Sequence, residues 1–152
     1  YLPDVDTEKS LDYFQRAFAM RVEGFGTKEN RNLATNLNNI GRVYYMQEKY
    51  DDALRFYEIA LRIRRNILGN NSLDVVATIF NTGQTLHRQG NLDQAMMYYQ
   101  EFLHIAIPKL SETHPDVAMI HRRIAQIYHE RKEYHSAISF YKKALTGARG
   151  SL

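Results

Sequence analysis

The chain has 152 residues, 44% hydrophobic and 24% charged, which is enough for one domain with a real core and unlike a disordered tail. Twenty Lys and Arg stand against 17 Asp and Glu, and this mild excess, spread along the chain, gives no reason to expect a nucleic-acid partner. The absence of cysteine excludes disulfides, thiolate zinc sites and cysteine nucleophiles, and no run reaches the roughly 20 apolar residues that span a bilayer, so no membrane partner is expected and the cytoplasm is the expected compartment.

The chain opens on Tyr1-Leu2-Pro3-Asp4, without the basic start and apolar run of a signal peptide and without an initiator methionine, as expected of a fragment of a longer protein. The first expected element covers about residues 7–26. There Ser10, Tyr13-Phe14, Ala17 and Phe18 match Ala53, Phe56-Tyr57, Ala60 and Leu61 at an offset of 43, and Gly26 then matches Gly69. This is half of a unit. Three full units follow at about 30–69, 72–111 and 114–148, in phase at a period of 42 residues. The columns Ala53/Ala95/Ala137, Tyr57/Tyr99/Tyr141, Leu54/Met96/Ile138, Leu61/Leu103/Leu145, Tyr44/Leu86/Tyr128 and Gly41/Gly83/Ala125 hold without a gap, so an internal repeat decides the architecture.

Each unit splits into two stretches with apolar residues three or four apart, the period of an amphipathic helix. In the first unit Leu33, Leu37, Ile40 and Tyr44 form one stripe, and Tyr50, Leu54, Tyr57, Leu61 and Leu68 form the next after a break at Gln47-Glu48-Lys49. In the second, Gly90 ends one helix in a left-handed conformation and the side chain of Asn91 is expected to cap the next. In the third, His114-Pro115-Asp116 is a helix start, because proline in a first turn forfeits no helix hydrogen bond and aspartate favours the positive end of the dipole. The small residues let paired helices approach closely, and the Tyr57/Tyr99/Tyr141 column is expected to fill the space between them as core.

Leu37, Ile40-Gly41, Tyr44, Tyr50, Ala53, Tyr57 and Ala60-Leu61 follow the helix-turn-helix pattern of the tetratricopeptide repeat, which the chain resembles from about Ser10 to about Leu145. The 42-residue unit, with Leu37-Asn38-Asn39-Ile40-Gly41 and Ala60 through Leu68-Gly69, is similar to the kinesin light chain and nephrocystin-like subclass, in which both helices are lengthened. The resemblance implies an all-α, right-handed α-solenoid of antiparallel helix pairs, here three full repeats and an N-terminal half repeat in a single domain. His121, Thr82, Ala125 and Phe102 depart from the pattern, standing for a large apolar residue, a leucine, a glycine and a small residue respectively.

Chemistry in the catalytic sense is sparse. Gly24-Phe25-Gly26-Thr27-Lys28 lacks the spacing and the preceding strand of a phosphate loop, and a helix break separates His129-Glu130 from His135, so neither reads as a nucleotide or zinc site. Asn70-Asn71-Ser72 fits a glycosylation sequon, with nothing else implying secretion. No carboxylate pair sits in an apolar context that would prepare a general acid. The chain is therefore expected to be no enzyme and to need no cofactor or metal.

Stacked helix pairs line a concave groove with the first helix of each pair, and such grooves accept extended peptides or helices. Helical spacing turns Thr35, Asn38, Asn39, Arg42, Tyr45 and Met46 of the first unit into it. The second unit contributes Ala77, Phe80, Asn81, Gln84, His87 and Arg88, and the third Met119, Arg122, Arg123, Gln126, His129 and Glu130. Asn39 and Asn81 recur at one place in successive units, where a carboxamide can pair with a ligand backbone. By resemblance to kinesin light chains, this asparagine position contacts cargo peptide. Arg42, Arg88, Arg122 and Arg123, opposed by Glu130 alone, suit carboxylates or phosphates, and Tyr45, Phe80 and Met119 suit an apolar anchor. The expected partner is a protein or peptide with an acidic linear segment bearing an apolar anchor, with the chain as scaffold or adaptor. The alternative expectation is a homodimer or longer assembly through terminal helices, since Ile138, Tyr141 and Leu145 form an apolar stripe on the last one.

Overall fold

A computed structural model describes residues 27–150 of the chain, with side-chain surroundings for 30–147. The expected half unit at about 7–26 lies outside the described residues. Within them six helices follow one another without a strand: α1 (Thr27–Met46), α2 (Tyr50–Leu68), α3 (Leu73–Arg88), α4 (Leu92–Leu110), α5 (Pro115–Glu130) and α6 (Tyr134–Gly150). Consecutive helices pack as the pairs α1–α2, α3–α4 and α5–α6, and α2 on α3 and α4 on α5 join one pair to the next. This is an all-α solenoid.

The boundaries have local causes. Ser72 accepts a hydrogen bond from the Asp74 N–H at the start of α3 (3.2 Å), and His114 does the same for Asp116 ahead of α5 (3.1 Å), with Pro115 in the first turn. Asn91 does not cap α4 as expected. Its carboxamide donates to Gln89 Oε1 instead (3.2 Å). The three turns inside the pairs share one geometry, in which the N–H groups of Lys49, Asn91 and Glu133 donate to the carbonyls of Tyr44, Leu86 and Tyr128, each at 2.9 Å. The preceding residue is left-handed every time, at Glu48, Gly90 and Lys132.

The pairs close where the repeat is smallest. A Cβ placed on Gly41 would lie 2.6 Å from Cε1 of Tyr57, and one on Gly83 would lie 2.9 Å from Cε1 of Tyr99. Both rings are consequently sealed, at 1% and 0% exposure. The third unit corrects the expected column. Ala125 stands where the other units have glycine, and Tyr141 is 37% exposed.

The core runs in two stretches. Ala34, Leu37 and Tyr44 of α1 pack with Phe56, Tyr57, Ile59 and Ile63 of α2, Tyr44 stacking on Phe56 with ring centroids 5.4 Å apart. The second stretch starts at Leu61 and continues through α3, α4 and α5, ending at Ile124 and Ile127. Each fully buried isoleucine, such as Ile79 or Ile120, contributes about 1.5–3 kcal/mol by leaving water. Among the departures from the repeat pattern, Phe102 joins this core, Thr82 is buried with its hydroxyl donating to the Thr78 carbonyl (2.7 Å), and His121 is buried with Nδ1 unpaired.

Candidate peptide-binding groove

The helical period that buries one stripe of α1, α3 and α5 turns the opposite stripe outward on one side of the stack. Between α3 and α5 this side opens into a cleft of about 710 Å³, lined by Gln84, His87, Arg88, Arg123, Gln126, His129 and Glu130, with Tyr141 of α6 at its edge. Seven residues that helical spacing turns into the groove therefore meet in one cavity. Tyr141 was expected in the core, and the signal for its place in the cleft was Ala125 standing where the other units have glycine.

The remaining candidates divide. Asn39, Arg42 and Arg122 are exposed. Phe80 and Met119 are half-buried and rest on the core, so each offers an edge to the groove rather than a free side chain. Tyr45 is half-buried against Tyr50 (centroids 5.6 Å apart). Asn38 departs from the expectation. It is 7% exposed, and its Oδ1 accepts from Thr78 Oγ1 (3.1 Å) and from Asn81 Nδ2 (3.2 Å). Arg64 completes this link by donating to Thr78 Oγ1 (2.8 Å) and to the Asp74 carbonyl (3.2 Å). A buried carboxamide must keep its partners, so Asn38 ties the first unit to the second and its oxygen is withdrawn from any ligand.

That contact is one of a series. Asn38 meets Asn81, Tyr45 meets Arg88 (Nε to hydroxyl, 3.3 Å) and His87 meets Glu130 (Nε2 to Oε1, 2.9 Å), each pair 43 residues apart. Phe80 and Arg123 have the same separation, with the guanidinium carbon 5.8 Å from the ring centroid. Each side chain thus meets the one a single step past its repeat equivalent in the next unit, and two such rungs close each junction. Sequence reasoning found these residues and missed that they pair with one another.

The charge that remains is uneven. Glu130 is the carboxylate lining the cleft and is engaged by His87, whereas Arg88 is exposed and Arg123 is half-buried over Phe80, its Nε sealed from solvent without a protein partner. The bond from Arg88 to the Tyr45 hydroxyl raises the guanidinium pKa further, so the charge is permanent. Beneath the cleft burial pushes the Tyr99 hydroxyl well above the usual phenol range, with Arg123 drawing it back, and that hydroxyl has no protein partner. Tyr57 is raised by burial in the same way, with Arg42 opposing. Among the described residues no three His, Cys, Asp or Glu side chains gather to hold a metal ion, and no helix is long and apolar enough to cross a membrane.

A family model described as the tetratricopeptide repeat matches residues 6–66, 32–107 and 75–150. The chain belongs to the tetratricopeptide repeat family. Solved structures with the same fold include BtubC (BKLC) from P. vanneervenii, with a TM-score of 0.74 and 16% identity over 95% of this chain and 57% of that one. The tetratricopeptide domain of Arabidopsis FLU superimposes with a TM-score of 0.71 at 18% identity, over 82% of this chain and 99% of that domain. A Podosopora anserina putative kinesin light chain with nearly identical TPR-like repeats gives 0.70 at 13% identity, over 96% and 69%. The chain spans little more than half the length of BtubC. No curated protein sequence matches it. At these identities the likeness is one of fold, and tetratricopeptide domains in general are non-enzymatic modules that bind other proteins.

Proposed function

We propose that this tetratricopeptide module captures an acidic linear segment with an apolar anchor on the concave side of the stack, serving as a scaffold or adaptor in the cytoplasm. The observation that carries the reading is the cleft between α3 and α5, where the guanidinium groups of Arg88 and Arg123 share one wall while Glu130 is held by His87. An arginine fork gives a carboxylate two parallel hydrogen bonds, and the half-buried edge of Phe80 and the exposed ring of Tyr141 give an apolar side chain a surface to lie on. Gln84 and Gln126, on the same wall, can pair with the backbone of an extended segment.

The test is a peptide-display selection on the wild-type chain and on an Arg88→Glu, Arg123→Glu double variant. Acidic peptides carrying an aromatic or large aliphatic residue are expected to enrich on the wild type, with affinity falling about tenfold or more on the variant. Equal binding of the same peptides after Asp→Asn and Glu→Gln replacement would overturn the reading.

A further inference from the structure

We infer that the furrow between the second helices α4 and α6 is a binding site for a small monocarboxylate with an apolar body, held by Lys143. The furrow encloses a cavity of about 430 Å³, within the range of small-molecule sites. Leu103 and Ile107 of α4 form one wall, Phe140 and Lys143 of α6 form the other, and the buried His121 of α5 lies at the bottom. The exposed side chains of Glu112 and Lys142 stand at the rim. No residue is shared with the peptide cleft.

The repeat shows that this furrow lacks a charge its predecessor balances. One unit earlier, α2 and α4 line a cavity of about 530 Å³ with Leu61, Arg65, Tyr98 and Glu101, whose equivalents are Leu103, Ile107, Phe140 and Lys143. There Arg65 and Glu101 pair across the gap at 2.6 Å, half-buried with side chains 31% and 32% exposed. In the later furrow the place of the cation holds Ile107 and the place of the carboxylate holds Lys143. Lys143 lies over the Phe140 ring instead, 4.6 Å from the centroid. Among the described residues no carboxylate pairs with it or with Lys142. A carboxylate arriving from outside restores the pair that the chain supplies for itself one unit before. The earlier furrow is open although α5 and α6 follow it, so a furrow between second helices stays open inside the stack.

The bottom of the furrow changes in the same direction. His121 stands where the other units bury Leu37 and Ile79, and its Nδ1 has no protein partner, a cost that apolar packing in those units does not carry. Polar groups have thus entered from two helices at places that are apolar or self-paired earlier in the chain. Charge then selects among anions. Two lysines against Glu112 leave a single positive charge, with His121 neutral because burial, then Lys143, hold its pKa down against Glu112. A monoanion balances that charge, whereas a phosphate dianion would meet Glu112 and find no arginine fork. Leu103, Ile107 and Phe140 take the apolar body.

The test titrates phenylbutyrate and octanoate, each against its primary amide, and inorganic phosphate into the isotope-labelled 152-residue chain, read by NMR. The acids are expected to bind with a Kd of about 0.1–1 mM, about tenfold or more tighter than the amides, and to shift resonances of Ile107, His121 and Lys143. An Ile107→Arg, Lys143→Glu variant, which rebuilds the ion pair of the earlier furrow, should abolish that binding with helical circular dichroism unchanged. Lys143→Gln alone should weaken it about tenfold. Lys132→Gln, in the turn before α6, should leave it unchanged, which separates a site from general attraction to cations. The groove variant Arg88→Glu, Arg123→Glu should also leave it unchanged, which separates the furrow from the peptide cleft. Amides that bind as tightly as the acids, phosphate that binds more tightly than either acid, or binding that survives the paired substitution would overturn the inference. So would a longer natural chain that keeps these residues and no longer binds the acids, since its own next segment would then fill the furrow.

Discussion

Replacing Gly41 with alanine sets two effects of opposite sign against each other. Alanine is the better helix former by about 1 kcal/mol in the interior of a helix such as α1. Against that, its methyl carbon would lie 2.6 and 2.7 Å from Cε1 and Cδ1 of Tyr57 and 3.1 Å from Cζ, where carbon atoms need about 3.5–4.0 Å. The ring must retreat by roughly 1 Å, and at 1% exposure it has no open side to retreat into. Overpacking a sealed core costs about 1–3 kcal/mol, and contact with three ring atoms places this case at the upper end, so the net loss is about 1–2 kcal/mol. At Gly83 the closest approach is 2.9 Å, and the two effects come near to cancelling. Urea titration followed by helical circular dichroism reads the difference: with a slope of about 2 kcal/mol per molar, Gly41→Ala should lower the midpoint by roughly 0.5–1 M and Gly83→Ala by clearly less. A midpoint raised by Gly41→Ala, or a larger loss at Gly83, would refute the packing argument.

Two further substitutions test other links. Ser111 has φ 118° and ψ 163°, a conformation open essentially to glycine, and its repeat equivalent is Gly69 at φ 80° and ψ 175°. Ser111→Gly should therefore raise stability by about 0.5–2 kcal/mol, the relief of strain less the added freedom of the unfolded chain, and a lower thermal midpoint would sink the reading. His121 is buried beside Phe140 (centroids 5.9 Å apart), and burial, then Lys143, hold its pKa below 6.5, with Glu112 opposing. The native chain then binds fewer protons there than the unfolded one, so this stability is complete above pH 6.5 and is lost as pH falls through the lower native value. His121→Phe should remove that loss; identical acid sensitivity in variant and wild type would assign it to other groups.

Much of this was legible in the sequence because the repeat is strict. A period held over three units fixes helix pairing and the side facing the groove, and helical spacing alone placed Gln84, His87, Arg88, Arg123, Gln126 and His129 where they now share a cleft. What escaped depends on contacts between units that one unit's pattern does not encode. Asn38 is buried because Thr78 and Asn81 of the next unit reach its oxygen, yet the equivalent positions in the later units are Phe80 and Arg122, so no column announces the contact. Asn91 has the composition of a cap, but its backbone at φ −81° and ψ 69° lies outside the extended region from which a side-chain oxygen caps a helix. Tyr141 matches Tyr57 and Tyr99 in its column and differs in exposure, because those two rings lie against Gly41 and Gly83 whereas the third unit has Ala125 at that place.

The cross-unit pairs also decide where a ligand can gain free energy. Removing the Asn38 oxygen would leave the buried Thr78 hydroxyl and the Asn81 amide without their acceptor at a cost of about 1–3 kcal/mol, so this inner rung forms a fixed floor. The outer rungs, Tyr45–Arg88 and His87–Glu130, are exposed, solvent-screened contacts that add little stability, and they can be exchanged. A ligand carboxylate that displaced Glu130 from His87 would replace one carboxylate with another and gain almost nothing from that histidine. Selectivity for an acidic segment must then come from Arg88 and Arg123, the cations of the cleft that no carboxylate in it already engages. His87→Gln should accordingly weaken an acidic peptide far less than charge reversal at the two arginines does, and the reverse order in a titration of both variants would show that the outer rung holds the ligand.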